Sequence, residues 1–234
     1  IQSNVIHQAY VHGVQKILFL GSTCILPKFA ENPIKEESLM TGKLEMTNEP
    51  YAIAKIAGIK MCESYNRQFG TDYRSILPCN LYGPGDNYDE ANGHLAAGVI
   101  QRIHRAKING DKQFVVWGTG KPRREFVYVD DMADAAIHVM NVEKELWDSV
   151  TEPMQGFVNV GAGHDIEIGE FVKIAKQALD YDGEIVYDIS KPNGTMNKLT
   201  DNSKITKLGW TPKTDLSVGL KKAYEWYVSN IANK

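Results

Sequence analysis

At 234 residues, 43% hydrophobic and 24% charged, the chain is long enough for one large domain or two small ones around a substantial core, with the composition of an ordinary soluble globular protein. Its net charge of -3 argues against a nucleic-acid surface, since the basic clusters Lys107, Lys112 and Lys121-Pro122-Arg123-Arg124 are diluted by acidic neighbours. Apolar runs such as Ile17-Leu18-Phe19-Leu20 are far too short to span a membrane, and no stretch reads as a signal peptide. Cys24, Cys62 and Cys79 are odd in number and lack C-x-x-C spacing, which predicts a reducing compartment, the cytoplasm, with no disulfide and no metal site. The start at Ile1, without Met, implies a longer chain that has lost its beginning.

In chain order, residues 3–14 read as a helix leading through Gly13 into a strand, 16–20, whose unbroken apolar run suits a parallel strand buried on both faces. That strand ends in Gly21-Ser22-Thr23-Cys24, at the end where open α/β sheets place their chemistry. After a loop rich in Pro, Lys and Glu, a helix over 51–69 carries an apolar stripe of Ile53, Ile56, Ala57, Met61 and Tyr65, stops at Gly70 and gives way to a strand at 73–77. Residues 80–92, dense in Gly, Pro, Asn and Asp, predict a long ordered loop of the kind that carries function. A helix over 94–106 and a strand at 114–117 follow, then Arg124-Glu125-Phe126-Val127-Tyr128-Val129-Asp130-Asp131, where Asp130 or Asp131 can cap a helix running to Met140. The alternation continues with strand 157–160, helix 167–179, strand 184–187 and a final helix over 216–229 with an aromatic face of Tyr224, Trp226 and Tyr227. This order predicts an α/β class with a mostly parallel sheet. Gly118-Thr119-Gly120 and Gly161-Ala162-Gly163 each follow a strand, but Arg123 and Ile166 stand where a dinucleotide fingerprint needs its third glycine, so both read as turns.

Tyr51 and Lys55 are four residues apart and share one helix face. A lysine ammonium beside a phenol favours the phenolate, which makes the tyrosine a usable proton donor near neutral pH. Taken alone, the spacing is more often just two amphipathic surface residues. Cys24 alone reads more commonly as a small buried thiol at a strand end, His94 as a capping or solvated helix-start residue and Arg124 as half of a surface Arg-Arg pair, while Trp117 could stack on a sugar or base or end a buried strand.

Together, Gly21-Ser22-Thr23-Cys24, Asn48-Glu49-Pro50-Tyr51-Ala52-Ile53-Ala54-Lys55-Ile56-Ala57-Gly58, Pro78-Cys79-Asn80-Leu81-Tyr82-Gly83-Pro84, Asn92-Gly93-His94 and Arg124 to Asp131 resemble, in order and content, the extended short-chain dehydrogenase/reductases. The match is best with the branch that converts GDP-4-keto-6-deoxy-D-mannose to GDP-L-fucose by 3,5-epimerisation and 4-keto reduction with NADPH. The resemblance implies a Rossmann-like doubly wound parallel sheet whose N-terminal strands and Gly-rich loop are missing here, with a smaller C-terminal α/β substrate domain. The dinucleotide-binding part would comprise 1–82 and 124–165, and the nucleotide-sugar part 83–123 and 166–234. It further implies Ser22, Tyr51 and Lys55 as the reductase group, Cys24 and His94 as the epimerase acid/base pair, and a cofactor half-site of Leu20, Gly21, Ser22, Thr23, Lys55, Pro78, Cys79, Asn80, Leu81 and His94. The GDP-sugar would meet Arg102, Trp117, Arg124, Asn193 and Lys198, although close relatives carry an acidic residue at the position of Asn193. A homodimer through helices 3–14 and 51–69 is also implied. Two other readings stay open: a nucleotide-sugar 4-epimerase or 4,6-dehydratase, which needs no pair like Cys24 and His94, and a non-catalytic binding protein that has kept the fold without the cofactor loop.

Overall fold

The computed structural model describes residues 1–89 and 93–232. In chain order they form α1 (Gln2–Val11), β1 (Lys16–Leu20), α2 (Glu49–Phe69), β2 (Asp72–Pro78), β3 (Asn80–Tyr82), α3 (Leu95–Asn109), β4 (Gln113–Trp117), β5 (Arg123–Arg124), β6 (Phe126–Tyr128) and α4 (Val129–Asn141). There follow α5 (Lys144–Asp148), β7 (Phe157–Val160), β8 (Ile166–Glu167), α6 (Ile168–Ala178), β9 (Glu184–Asp188), α7 (Ser203–Lys207) and α8 (Leu216–Tyr227), which continues as a π turn, Val228–Ala232. The chain divides into two compact units, residues 1–79, 132–163 and 199–212 forming the first, and 80–131, 164–198 and 213–234 the second. These limits differ from those expected. Residues 80–82 and 124–131 go to the second unit because β3 pairs in parallel with β6, Asn80 opposite Phe126 and Tyr82 opposite Tyr128. Residues 199–212 go to the first, where Thr200 bridges Ile34 and Asn159 Nδ2 donates to the Asp201 carbonyl at 3.2 Å.

The first unit is built on a parallel sheet in the order β1-β2-β7. All but the first residue of β2 is buried, as expected of a central strand covered on both faces. Ala52 and Ile59 of α2 pack with Ile25, Leu26, Ile34, Leu77 and Phe157. Gly58 lets α2 lie directly on β1, because a Cβ there would run into the ring of Phe19. Gly70, at φ 69°, ends α2 in the left-handed conformation that glycine adopts at no steric cost. Arg74 is fully buried: its guanidinium pairs with both carboxylate oxygens of Asp72 at 2.8 Å and donates to the carbonyls of Val139 (2.6 Å) and Val142 (2.7 Å), at the C-terminal end of α4.

A second buried charge holds the loop that precedes α2. Glu36 is 1% exposed, and its Oε1 accepts the Asn159 N–H at 2.8 Å, while Lys204 Nζ lies 3.9 Å from Oε2 and 2.7 Å from Glu37. Burial pushes the Glu36 carboxyl above its ordinary range, against the opposing pull of the Asn159 N–H and Lys204. A folded value above the unfolded one, about 4.5, means that the native state holds this proton more tightly, so stability falls as pH rises through the window between the two. Glu36→Gln keeps an acceptor for Asn159 and loses the buried charge, and Lys204 retains Glu37. The variant is expected to melt above the wild type at pH 7, with the gap closing below about pH 4. A lower melting temperature at pH 7 would mean that the Lys204 attraction outweighs the burial.

In the second unit, β4 pairs in parallel with β9 over five residues, β3 with β6, and β5 runs antiparallel to β8. Ile100 and Ile103 of α3, Phe171 and Val172 of α6 and Leu220 and Ala223 of α8 form its core with Phe114 and Val116. Two sequence expectations change here. Residues 80–82, read as the start of a loop, form β3, because their partner strand lies 46 positions on, from Asn80 to Phe126. Asp130 and Asp131 lie within the first turn of α4 and do not precede it. Asp131 instead accepts the N–H groups of Lys213 (3.0 Å) and Thr214 (2.8 Å) and the Thr214 hydroxyl (2.9 Å), which ties down the approach to α8.

Candidate active site

The site residues named by the sequence fall into two groups, one in each unit. In the first unit, β1 ends at Leu20, which is 48% exposed, and the Gly21 N–H donates to the Ile76 carbonyl at 2.8 Å. A Cβ at Gly21 would stand 3.0 Å from Leu77 Cδ1 and 3.2 Å from the Ile76 oxygen, so a side chain at that position would press into β2. Ser22 is extended, and its Oγ accepts the Cys24 N–H at 3.1 Å, capping the 3₁₀ turn Thr23–Ile25. The turn separates two hydroxyls that sequence alone leaves equivalent: Thr23 is 4% exposed and buried, whereas Ser22 and Cys24 are half-buried. Asn48 Nδ2 donates to the Cys24 carbonyl at 3.3 Å, linking this turn to the start of α2. Asn48 is a positioning contact that the sequence motif contained without revealing its partner.

Helix α2 begins with Glu49, favourable at the positive end of the dipole, and Pro50, whose missing N–H costs nothing in the first turn. Tyr51 is 44% exposed on its first turn. Lys55, one turn on, donates from Nζ to the Leu20 carbonyl at 2.7 Å, with the nitrogen 5.8 Å from the Tyr51 ring centroid and 5.3 Å from that of Phe19. The expected Tyr-Lys face thus exists, and the ammonium also fastens it to the C-terminal end of β1. Pro78 and Cys79 close β2; both are buried, and the Cys79 N–H donates to the Val160 carbonyl at 2.9 Å. All three cysteines are free thiols. Burial pushes Cys62 up to about 12, which removes it from proton transfer at neutral pH, while Cys24 lies in the half-exposed turn beside Ser22. A cavity of about 370 Å³ lined by Glu63, Arg67, Asp72, Lys144 and Trp147 contains none of these residues. It lies by Asp72, at the opposite end of β2.

In the second unit, Asn80 Nδ2 donates to the Glu125 carbonyl at 2.8 Å, and Leu81 is half-buried. His94 occupies the N-cap position of α3, exposed and without a side-chain capping bond. Its approach is set by Gly93, whose N–H donates to the Asp89 carbonyl at 2.8 Å and whose missing Cβ would stand 2.6 Å from that oxygen. Asn92, the first residue of that motif, lies outside the described residues. Asp86, which the sequence did not single out, has its carboxyl raised by burial, with the Asn87 N–H and the charge of His94 acting the other way. Arg102 donates to the carbonyls of Gly98 (3.3 Å) and Val115 (3.4 Å), its guanidinium over the Phe114 ring. Trp117 is 68% exposed, with Lys191 Nζ 5.7 Å from its ring centroid, so it is not the buried strand end that the sequence left open. Arg124 donates from Nη1 to the carbonyls of Arg123 (2.7 Å) and Thr195 (2.6 Å). Asn193 Oδ1 accepts the N–H and the hydroxyl of Thr119, at 3.0 and 3.1 Å, and Lys198 is half-buried.

A parallel sheet carrying a hydroxyl turn and a Tyr-x-x-x-Lys helix at its C-terminal end defines a class, and residues 1–150 match the model of the NAD dependent epimerase/dehydratase family. The chain belongs to that family. Among its relatives, GDP-L-fucose synthase of Escherichia coli (strain K12) is 50% identical over 230 residues, covering 98% of this chain and 72% of that one. A GDP-L-fucose synthetase from Naegleria fowleri, solved with NADP bound, superposes with a TM-score of 0.88 at 29% identity, over 99% of this chain and 71% of that one. A GDP-6-OMe-4-keto-L-xylo-heptose reductase from C. jejuni superposes at 0.89 with 37% identity, over 98% and 74%.

Proposed function

We propose that the chain converts GDP-4-keto-6-deoxy-D-mannose to GDP-L-fucose with NADPH, epimerising C3 and C5 and then reducing the C4 ketone. One observation carries this reading: Lys55 binds the Leu20 carbonyl and so sets the Tyr51 face at the end of β1, beside the Ser22–Cys24 turn, in a chain half-identical to a GDP-L-fucose synthase. The 4-keto group acidifies the hydrogens at C3 and C5, so epimerisation requires one group to take a proton and another to return it on the opposite face. Cys24 and His94 supply these two groups. Ser22 donates to the C4 oxygen as charge builds there, and Tyr51 gives that oxygen its proton.

The residues present fit a nicotinamide nucleotide. Leu20 offers an apolar surface at the strand end, and the Lys55 ammonium beside it can hold a ribose hydroxyl, with Gly21, Thr23 and the Pro78–Leu81 segment completing the half-site. When bound, the cofactor supplies hydride to C4. The first unit carries most of the cofactor half-site, and the second carries the rest of it, Asn80, Leu81 and His94, together with Arg102, Trp117, Arg124, Asn193 and Lys198, which take the GDP-sugar. A guanidinium matches a diphosphate by its planar fork, which favours Arg124 for that contact. The working form is a cytoplasmic homodimer through α1 and α2, for which light scattering should give twice the chain mass.

The test is product analysis. Protein given GDP-4-keto-6-deoxy-D-mannose and NADPH should consume NADPH and yield GDP-L-fucose. Formation of a 4-epimer or a dehydration product, with no NADPH consumed, would refute the proposal in favour of the other enzymes of this fold.

A further inference from the structure

We propose that Gly194 and Thr195 are positioning residues for Arg124, holding its guanidinium in the one orientation that takes the diphosphate of the GDP-sugar; this rests on the function proposed above. A guanidinium Nη carries two N–H bonds. On Arg124 Nη1 these go to two carbonyls, Arg123 at 2.7 Å and Thr195 at 2.6 Å, which fixes the plane of the group and the direction of its Nε–Nη2 edge. The other nitrogen lies against Gly194: a Cβ there would stand 3.1 Å from Nη2, closer than ordinary contact allows.

The segment that supplies both contacts is itself fastened. The Arg123 N–H donates to the Met196 carbonyl at 2.7 Å, and Asn193 Oδ1 accepts from the Thr119 N–H and hydroxyl. Gly118, at φ 76°, admits that Asn193 oxygen where a Cβ would stand only 2.5 Å from it. Residues 193–196 are therefore locked on one side to the Gly118–Thr119 turn and on the other to Arg123, with Arg124 gripped between the two anchors. Diphosphate recognition by a guanidinium is directional, because its fork must face the phosphate oxygens squarely. Alignment supplied by a backbone carbonyl and a missing Cβ is set before the ligand arrives, so less rotamer freedom is lost on binding.

The experiment uses GDP alone as the probe, by titration calorimetry on wild type, Gly194→Ala, Gly194→Val, Arg124→Ala and the double variant Arg124→Ala with Gly194→Val. Gly194→Val should weaken GDP about tenfold or more, the weight of one misaligned charge-assisted contact. Gly194→Ala should weaken it less, and NADPH affinity and melting temperature should stay at wild-type values. In the Arg124→Ala background, Gly194→Val should have no further effect, because the group it misaligns is gone. Wild-type GDP binding in Gly194→Val, or an equal loss with and without Arg124, would overturn the positioning role while leaving the GDP-sugar reading intact. Failure of the wild type to bind GDP would overturn both.

Discussion

Tyr51→Phe is expected to abolish reduction of the 4-ketone, lowering its rate by a factor on the order of 10²–10⁴, while solvent hydrogen continues to exchange at C3 and C5. The substitution removes one oxygen from an exposed first-turn residue and leaves Lys55 fastened to the Leu20 carbonyl, so the scaffold of the site should survive. In the proposed mechanism proton delivery to C4 is lost, while the acid/base steps at C3 and C5 are the ones assigned to Cys24 and His94. Cys24→Ser should do the reverse and suppress exchange, because a thiol can ionise to a thiolate base near neutral pH and an alkyl hydroxyl cannot. Mass spectrometry of substrate recovered from deuterated water reads the exchange, and NADPH absorbance reads the reduction. Loss of exchange in Tyr51→Phe would sink the proposed division of labour.

Arg74→Met should destabilise the protein by about 3 kcal/mol or more, the usual cost of breaking a buried pair by removing one partner. For a chain of this length that is a fall in melting temperature of roughly 6–12 °C. The substituted side chain can fill space beside Trp147, whose ring lies 5.2 Å from the guanidinium carbon, but it cannot donate to the carbonyls of Val139 and Val142. Asp72 keeps Lys16 at 3.3 Å, which limits the loss on that side. The carboxyl of Asp72 lies below its ordinary range because its bonds to Arg74, then Lys16, outweigh the burial that would raise it. That part of the wild-type stability is present above the unfolded value, about 3.8, and lost as pH falls through the folded one, so the gap between wild type and variant should narrow in acid. A variant melting within about 2 °C of wild type at pH 7 would show that the carbonyls find other donors.

Both cases mark how far the sequence could be read. The strands Lys16–Leu20 and Phe157–Val160 appear at the predicted residues because each is a short run dominated by apolar residues, Ile17 to Leu20 in the one and Phe157, Val158 and Val160 around Asn159 in the other, and α2 stops at the predicted Gly70. The shared helix face of Tyr51 and Lys55 was legible from their spacing, and the turn that holds Ser22 from the small polar residues that end β1. Features that depend on distant partners were not legible. Arg74 reads as a charge in a strand until carbonyls 65 and 68 residues away are placed over it. Asp131 has the look of a cap, yet bonds residues 82 and 83 positions on. Helices α5 and α7, five residues each, are too short to show a period. Nor could the sequence tell Ser22 from Thr23, since the buried side of a 3₁₀ turn is decided by packing.

The fastenings in the first unit share a chemical character. Lys55 binds the Leu20 carbonyl, Asn48 the Cys24 carbonyl, and Ser22 the Cys24 N–H. Each of the three ends on main chain, which every residue but proline offers in full. The geometry of the turn is therefore indifferent to which side chains β1 carries, so long as they fit the core. A mutational scan should find Ile17, Leu18 and Leu20 broadly tolerant of apolar exchange and the three anchoring side chains intolerant of it: robustness in the strand, fragility in its moorings.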